Sequence, residues 1–541
     1  MNGIFTVPFP KNEPVYSYMP GTREKAELKK ELERQSGTVV DIPVIIDGKE
    51  YFTEKTKQVV MPHNHKHVLA NLSVATSELL ELAVKTAAKS KKSWAETPWE
   101  HRAAIFLKAA ELLRHKYRYV INAATMLGQS KNPYQAEIDS ACELTDFLTF
   151  NAYFADCLYR EQPLSGDGVW NRLQYRPLDG FVAAITPFNF TSIGGNLPTA
   201  PAIMGNTVLW KPGTTAALSN YYFYKLLLEA GLPEGVISFL PCNGSDMSKH
   251  VLSHPDMAGF HFTGSTAVFN GIWKLVGENI EGYRNYPRLV GETGGKDFVF
   301  AHSSADVKSL VTALARGAYE YQGQKCSAAS RAYIPASIWK EAKEGLLKEI
   351  ADIKMGDITD FRNLMGAVID KASYDNIVGH IKYAEQSGDA DVLTTRYDDS
   401  TGYFVAPTLI EAKTPDFKCL VEEIFGPVLT VFVYDDSELD KALGYCDKAS
   451  VYGLTGSVFA RDRQAIVKIE NALSQTAGNF YINDKPTGAV VGQQPFGGAR
   501  KSGTNDKAGS MLNLMRWVSP RCIKETFLPA IDVGYPYMSE E

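Results

Sequence analysis

The chain has 541 residues, of which 45% are hydrophobic and 22% are charged, and its formal net charge at pH 7 is −6. That length is enough to bury a sizeable core and predicts two or three domains. The slightly acidic balance excludes the basic surface of a nucleic-acid-binding protein. No run of about 18 apolar residues is present, so we also predict no membrane span.

The amino-terminal 20 residues have no charged segment followed by an apolar stretch, so we expect no secretory signal. They also lack the Arg- and Ser-rich, acid-poor bias of a transit peptide, because Glu13 comes early and Lys11 is the only basic residue. Seven cysteines with long spacings and no C-x-x-C pair favour a reducing compartment over a disulfide framework or a zinc site. We therefore expect a cytoplasmic protein, or a mitochondrial matrix protein if a transit peptide is missing from this chain.

The first 153 residues are predicted to be an arm followed by helices. One polar helix is expected over Arg23–Arg34, and short strands are expected around the turn Asp47-Gly48. Apolar spacing predicts helical structure over 74–128 and an amphipathic helix over Gln135–Tyr153. Before these helices, His63, His65 and His67 alternate with Asn and Lys, which favours an exposed loop or strand over a weak metal site.

Strands then alternate with helices, which predicts a parallel, doubly wound α/β sheet. Its helix runs from about Ser219 to Ala230, where Gly231 and Pro233 are stop signals. Ligands bind such sheets at the carboxyl ends of the strands, where the polar segments 186–190, 211–214 and 263–266 are placed. The predicted strands are Phe181–Ile185, Val208–Trp210, Val236–Leu240 and Gly259–Phe262.

A second α/β pattern follows and ends in a glycine-rich loop over Asn479–Gly503. Residues 160–180 and 515–541 fit neither sheet pattern. The predicted elements of this second pattern are helices over Val307–Tyr321 and Trp339–Ile353 and strands over Arg331–Ile334, Val428–Val433 and Gly456–Phe459.

Cys326 lies in the polar, glycine-containing turn Glu320–Ser327. A lone cysteine is usually an inert buried residue, but polar neighbours suit a reactive thiol better than a core one. Asn189, between Phe188 and Phe190, is either a turn residue or a donor to an oxyanion.

Glu292 follows the apolar pair Leu289-Val290 and precedes the flexible step Gly294-Gly295. A solvated loop carboxylate would normally be favoured, but the apolar pair and the glycines suggest instead a strand end that enters a crowded site, where the carboxylate could act as a base. A thiol nucleophile, a base and an oxyanion donor together suffice for covalent chemistry at a carbonyl carbon.

Three further segments are compatible with a dinucleotide. Thr263–Thr266 follows a strand and precedes a helix, which is the position of a phosphate loop, although the G-x-G-x-x-G pattern is absent. Lys211 follows another strand and could bind ribose hydroxyls. Glu423 offers a second ribose ligand, and Phe425 offers an aromatic wall. A charged pair before a proline turn, such as Glu422-Glu423, is also typical of an ordinary surface.

Together these segments resemble the aldehyde dehydrogenase superfamily, from about residue 40 to residue 525. The motifs that carry the resemblance are Thr186–Phe190, Leu209–Pro212, Phe262–Ser265, Gly291–Lys296, Gly323–Cys326, Glu423–Pro427 and Pro495–Gly498. The branch that oxidises L-glutamate γ-semialdehyde to L-glutamate, in proline breakdown, fits closely. Residues that look like this branch are Gln135–Asp139, Ile193–Leu197, Phe269, Asn479–Lys485 and Val491–Arg500.

The resemblance implies an aldehyde dehydrogenase fold of three parts. A Rossmann-like NAD-binding domain would comprise 1–155 and 182–291, and an α/β catalytic domain would comprise 292–484. A small β oligomerisation element with the substrate anchor loop would combine 156–181 with 485–541. The partners implied are a small-molecule substrate and further copies of the chain, as a dimer or higher homo-oligomer.

The resemblance also implies roles for individual residues. Cys326 would be the nucleophile, Asn189 an oxyanion donor and Glu292 the base that activates water. The expected cofactor is NAD, with NADP possible. Its expected binding residues are Ile185, Thr186, Pro187, Lys211, Gly213, Gly264, Ser265, Glu423 and Phe425. The expected substrate-binding residues are Glu143, Phe190, Ser327, Gly488, Ala489 and Phe496.

Two positions depart from the family pattern. Many NAD-preferring relatives have an acidic residue where this chain has Thr214, and animal members of the branch have a serine where this chain has Ala489. Two alternatives stay open: a semialdehyde dehydrogenase that transfers the acyl group to CoA, and a non-catalytic structural relative. The first has no use for a base such as Glu292, and the second would be free to lose Cys326.

Overall fold

The computed structural model describes residues 3–539 and contains two seven-stranded sheets. The first sheet has five neighbouring parallel strands, and an antiparallel hairpin extends it at one edge. This confirms the predicted parallel sheet. In spatial order its strands are Arg288–Glu292, Met257–Thr263, Phe181–Ile185, Val208–Lys211, Ile237–Phe239, Val44–Ile46 and Lys49–Tyr51.

Helices cover both faces of this sheet, so its central strands read as continuous apolar runs. Successive residues of a strand point to opposite faces. Phe181 therefore packs in the core beneath helices Ser77–Glu96 and Thr266–Glu278, while Val182 packs in the core on the other side. Helices of that other core are Trp99–Leu112, Arg118–Gln129, Leu144–Arg160, Thr191–Ile203 and Ala217–Ala230.

The helical region 74–128 is broken into separate helices, and the break at Thr97-Pro98 has a local cause. Proline disfavours the helical conformation in the residue before it and lacks an N–H, so it starts the second helix instead of continuing the first. The helix predicted over Gln135–Tyr153 extends further, as Pro133–Ala136, a π-helical turn over Glu137–Glu143, and Leu144–Arg160.

The second sheet is parallel except for one antiparallel edge strand. One of its interior strands, Asp297–Ala301, was not among the predicted elements. In spatial order the strands are Ala390–Thr394, Thr408–Ala412, Val428–Tyr434, Ala329–Pro335, Asp297–Ala301, Thr455–Phe459 and Asn479–Ile482. The helices beside it are Val307–Tyr319, Ala336–Asp352, Lys371–Gln386, Leu439–Lys448 and Arg463–Ala472.

The two segments that matched neither sheet pattern pair with each other. Val169–Pro177 and Val518–Thr526 form a two-stranded antiparallel sheet of nine paired residues. The first seven-stranded sheet ends at Glu292 and the second begins at Asp297. The division of the chain into three parts remains a prediction.

A smaller sheet contains the histidine-rich stretch. His65 and His67 lie on its strand Asn64–Ser73, whereas His63 is buried, so the expectation of an exposed stretch was wrong for His63. Its imidazole Nε2 lies 3.3 Å from Asp357. Within residues 3–539, no helix is long and apolar enough to cross a membrane, and no three His, Cys, Asp or Glu side chains are grouped to hold a metal ion.

Candidate active site

The turn that carries Cys326 has a strained backbone. Helix Val307–Tyr319 ends two residues earlier than predicted, because Tyr321 and Gln322 take left-handed conformations with φ of 52° and 55°. Such conformations cost about 1–3 kcal/mol each for residues other than glycine. The Gln322 amide holds the turn by donating to the carbonyl oxygens of Ser130 at 2.9 Å and Ala367 at 2.8 Å.

The polar residues beside Cys326 are buried, while Cys326 itself is half-buried and therefore reachable. The Lys325 ammonium lies 3.4 Å from Glu320, and the Gln324 side-chain oxygen accepts from the Ile369 N–H at 2.8 Å. Burial raises the pKa of the Cys326 thiol well above its usual range, and nearby carboxylates, Asp297 first, reinforce the effect. The thiol is therefore protonated at rest and needs a base to become a nucleophile.

The turn Glu320–Ser327 is called the nucleophile turn below, after the role predicted for Cys326. Asn189 reaches it through a single hydrogen bond. It lies between strand Phe181–Ile185 and helix Thr191–Ile203, and its Nδ2 donates to the Gln324 carbonyl at 3.0 Å. An amide nitrogen carries two hydrogens, so one N–H remains for a substrate oxygen. Asn189 therefore contacts Gln324, which lies two residues before Cys326 in the chain.

Asp139 anchors the start of the helix that follows Asn189. Its carboxylate accepts from the backbone N–H groups of Thr191 at 3.0 Å and Ser192 at 2.8 Å, and it pairs with the buried Lys131 ammonium at 2.7 Å. A carboxylate is stabilised at a helix N-terminus, so this pair fixes the Asn189 segment. Asp139 and Lys131 were not predicted to have a role in the site, because the helix start that Asp139 anchors lies 52 residues later in the chain.

Glu292 is the last residue of its strand, as predicted, and its Oε2 accepts from the Gly498 N–H at 3.2 Å. The following Gly295 packs directly on the backbone of Cys326, where a Cβ would collide with the Cys326 carbonyl oxygen. This contact explains the Gly-Gly step and brings the strand end to the nucleophile turn. Burial raises the pKa of Glu292 well above its usual range.

The predicted cofactor residues converge at the carboxyl ends of the first sheet. Ile185 pairs with Lys211 across neighbouring strands, and the Lys211 ammonium makes no hydrogen bond or ion pair within residues 3–539. Ser265 caps helix Thr266–Glu278 by accepting from the Val268 N–H at 3.4 Å. A helix N-terminus and an unpaired lysine at one sheet edge fit a dinucleotide's phosphates and ribose.

Close backbone packing shapes the floor of this region. A Cβ on Gly213 would lie 2.8 Å from the Pro187 carbonyl oxygen, so only glycine fits there without a shift. The Thr186 hydroxyl accepts from the Trp210 indole at 3.1 Å, which gives that side chain a structural partner. Gly264 donates its N–H to the Glu292 carbonyl at 3.2 Å and so links this edge to the end of the Glu292 strand.

Glu423 and Phe425 lie beside the same catalytic segments. The Glu423 carboxylate accepts from the Gly295 N–H at 2.8 Å. Phe425 has a left-handed φ of 57°, and its ring meets the edge of Phe188 at 5.8 Å between centroids. Glu423 therefore contacts the glycine that packs on Cys326, and Phe425 packs against the residue before Asn189.

Ser327 joins the nucleophile turn to the predicted anchor loop. Its hydroxyl donates to the Thr487 hydroxyl at 2.8 Å, and both residues are buried. Gly488 follows with a left-handed φ of 98°, and Ala489 is half-buried. Thr487 was not predicted to be a site residue. Its position directly before Gly488, in the predicted anchor loop, was the one signal in the sequence that pointed to it.

Of the remaining predicted substrate residues, Phe190 and Glu143 lie in or beside the Asn189 segment, and Phe496 lies in the final loop. The Phe190 ring lies 3.9 Å beneath the Lys131 ammonium, and the Phe496 backbone exchanges hydrogen bonds with Ala508. Glu143 accepts from the Ser192 hydroxyl at 2.9 Å, and burial raises its pKa to about 8, with Asp139 adding to the effect. Glu143 is therefore mostly neutral at pH 7 unless a cation approaches it. The roles of these residues stay predictions.

Comparison with known proteins gives a consistent result. The profile of the aldehyde dehydrogenase family matches residues 51–520. The chain is 52% identical to the mitochondrial delta-1-pyrroline-5-carboxylate dehydrogenase of Dictyostelium discoideum, over 98% of this chain and 96% of that protein. It is 47% identical to the human mitochondrial protein of the same name, over 97% of this chain and 94% of that one.

Solved structures show the same similarity. The NAD-bound delta-pyrroline-5-carboxylate dehydrogenase of Mycobacterium tuberculosis superposes with a TM-score of 0.97 at 52% identity, covering 100% of both chains. The NAD-bound 1-pyrroline-5-carboxylate dehydrogenase from Thermus superposes with a TM-score of 0.90 at 30% identity, covering 97% of this chain and 100% of that chain.

Proposed function

The chain belongs to the aldehyde dehydrogenase family, and on that basis we propose that it oxidises L-glutamate γ-semialdehyde to L-glutamate with NAD, the final oxidation of proline breakdown. One observation carries the chemistry: Asn189, the Glu292 strand end and Glu423 all contact the short segments that surround Cys326. The names of the relatives that are about half identical over nearly the full chain support the choice of substrate.

The chain's own residues account for the covalent steps. The Cys326 thiol gives its proton to a solvent water, which can reach this half-buried side chain, and its sulfur adds to the aldehyde carbon, while the remaining Asn189 N–H and the Cys326 N–H stabilise the oxyanion that forms. Bound NAD supplies the hydride acceptor that allows this adduct to become a thioester on Cys326. Glu292 then takes a proton from water, the water oxygen attacks the thioester carbon, and the carbon–sulfur bond breaks to release L-glutamate.

The anchor loop is proposed to select the substrate. Ser327 and the backbone N–H groups of Gly488 and Ala489 would hold its α-carboxylate, and Glu143 would meet its ammonium group. Phe190 and Phe496 would flank the methylene chain. Each of these groups complements one part of a short dipolar aldehyde, whereas an aldehyde without a carboxylate would leave the loop unused.

The NAD site is proposed at the edge of the first sheet, where Lys211 and Ser265 offer a free ammonium and a helix N-terminus. Thr214 carries no charge that would repel a 2′-phosphate, so NADP would be tolerated, but no arginine in 211–220 would attract it. A CoA-acylating enzyme is the weaker alternative, because it needs no water-activating base and Glu292 lies at the nucleophile turn.

The sheet formed by 169–177 and 518–526 is proposed to mediate homo-oligomers. It carries Trp170, which is 51% exposed, and leads to Leu528 and Ile531, which are 84% and 101% exposed. Large apolar side chains in such numbers mark an interaction surface. Light scattering tests this, and a monomer at all concentrations contradicts it.

Seven free thiols fit a reducing compartment, cytoplasmic or mitochondrial.

Glu292→Gln tests the proposed mechanism. The variant keeps the carbonyl that accepts from Gly498 but cannot take a proton from water. We expect one rapid equivalent of NADH per active site from L-glutamate γ-semialdehyde, then very slow turnover, in rapid-mixing kinetics without CoA. Equal loss of both phases would show that Glu292 activates the thiol instead. Absence of NADH formation by the unmodified chain would overturn the proposed function itself.

A further inference from the structure

The segment Pro495–Ala508 wraps over Glu292 and holds it through one peptide group. The Thr504 N–H donates to the Gly291 carbonyl at 2.9 Å, and the Thr504 hydroxyl accepts from the Gly291 N–H at 2.9 Å. The Gly498 N–H donates to the Glu292 carboxylate at 3.2 Å. The carbonyl of that same peptide group belongs to Gly497 and accepts from the Lys507 ammonium at 3.1 Å. One peptide unit therefore joins a cation to the carboxylate of the proposed base.

The Lys507 ammonium is directed entirely at neutral oxygens. Besides Gly497 it donates to the Gly478 carbonyl at 2.8 Å and to the Asn479 side-chain oxygen at 3.4 Å, which uses all three of its hydrogens. It forms no salt bridge with a carboxylate in the described part of the chain, although Asp506 is its neighbour in sequence. Its charge is thus not neutralised locally and polarises the peptide groups that it contacts.

We propose that Lys507 is a positioning residue for thioester hydrolysis, which acts through the Gly497–Gly498 peptide to hold the Glu292 carboxylate and to favour its ionised form. A cation on the carbonyl end of a peptide strengthens hydrogen-bond donation from its N–H, since linked hydrogen bonds polarise one another. A stronger donor favours the ionised form of the carboxylate that accepts from it. This inference rests on the proposed function, because it assigns Glu292 as the base.

The other charges around Glu292 set the direction of the effect. Burial favours the neutral form of the Glu292 carboxyl, and the negative charge of Asp506 favours it too. Cys326 faces Glu292 from the nucleophile turn and responds to its charge. Lys507 is the cation that opposes these influences, and its own half-buried ammonium has a pKa lowered by burial, which Glu292 partly offsets. A neutral Glu292 cannot take a proton from water, so the site needs this cation near neutral pH.

The test compares charge variants of the full chain with NAD and L-glutamate γ-semialdehyde. Thioester hydrolysis is followed as glutamate release by quench-flow, between about pH 6 and pH 9. The rate of thioester hydrolysis should fall on the acidic side of its pH profile as Glu292 becomes protonated. Lys507→Met should move this acidic limb to higher pH by about one unit, while the first equivalent of NADH forms normally. Lys507→Arg should restore the limb, and Asp506→Asn should move it downward. Lys501→Met, an exposed lysine of the same segment, is the matched control and should change nothing.

The outcomes separate the inference from the proposed function. An unchanged limb in Lys507→Met, or upward shifts in both Lys507→Met and Asp506→Asn, would overturn the role of Lys507. If Lys507→Met does not fold, as judged by NAD binding, Lys507→Gln replaces it, because it keeps a donor for Gly497 without the charge. Failure of the unmodified chain to form NADH would instead count against the proposed function.

Discussion

Ser327→Ala is expected to impair the oxidation of substrates that carry an α-carboxylate and to spare other aldehydes. The Ser327 hydroxyl lies between the nucleophile turn and the anchor loop, 2.8 Å from the Thr487 hydroxyl. It is buried at 6% exposure, so water cannot easily replace it. The single hydrogen of this hydroxyl is donated to Thr487 and would turn to the carboxylate when the substrate binds. The substitution removes this donor, while the sulfur of the adjacent Cys326 is untouched.

The size of the effect follows from the charge of the group that loses its partner. A hydrogen bond to a charged group contributes about 1.5–3 kcal/mol. If Ser327 binds the carboxylate equally in the ground state and the transition state, the loss appears in KM, and kcat/KM falls about 10- to 150-fold. Ala489→Ser, which adds a hydroxyl to the same loop, should strengthen carboxylate binding.

The assay measures kcat/KM for L-glutamate γ-semialdehyde and for propanal with each variant. Ser330→Ala is the matched control, because it removes a hydroxyl from the same segment, 3.5 Å from the Asp297 carbonyl and outside the proposed site. An equal loss with both substrates would refute the reasoning, since it would mean that Ser327 maintains the geometry of the nucleophile. The choice of substrate would then rest on the relatives alone.

Three further predictions concern the nucleophile, the cofactor and pH. Cys326→Ala should abolish dehydrogenase turnover but leave NAD binding, measured by fluorescence titration, near normal, and more than trace turnover would contradict the assignment. Thr214→Glu should raise the preference for NAD over NADP about fivefold to 150-fold, because a confined like charge costs about 1–3 kcal/mol against the 2′-phosphate; an unchanged ratio of kcat/KM values would contradict this. Since burial raises the pKa of Glu143 to about 8, its carboxylate forms as the pH rises through that value. KM for L-glutamate γ-semialdehyde should therefore fall over this range, and a Glu143→Gln variant that keeps the same pH dependence would exclude Glu143 as the cause.

Features set by neighbouring residues were predictable from the sequence. The apolar run before Glu292 and the glycines after it predicted a strand end, and the strand does end at Glu292. The segment Thr263–Thr266 was predicted to follow a strand and precede a helix, and it does so, with Ser265 as the cap of that helix. Both patterns reflect preferences that a few consecutive residues express by themselves, namely strand burial and helix capping. The family was predicted correctly for the same reason, because its motifs are short and contiguous.

The polar turn around Cys326 shows where local patterns mislead. Its polar residues predicted a turn unlike a protein core, yet Gln322 and Gln324 are 1% and 0% exposed. The Gln322 amide nitrogen and the Gln324 amide oxygen are held there by hydrogen bonds to backbone groups of Ser130, Ala367 and Ile369, which lie 45 or more positions away in the chain. A sequence pattern does not contain these partners, so the left-handed turn and its early helix end were not predictable.

The sequence by itself determined which residue types this protein has for its chemistry: a thiol, a carboxylate and an amide, each at the end of a recognisable element. Only the tertiary structure decided which groups support them. Asp139 fixes the Asn189 segment from 52 residues away, Ser327 meets Thr487 across 160 residues, and Gly498 reaches Glu292 across 206. The physical reason is that hydrogen-bond partners at such separations are chosen by how the two sheets and the final loop pack together, and not by preferences of neighbouring residues.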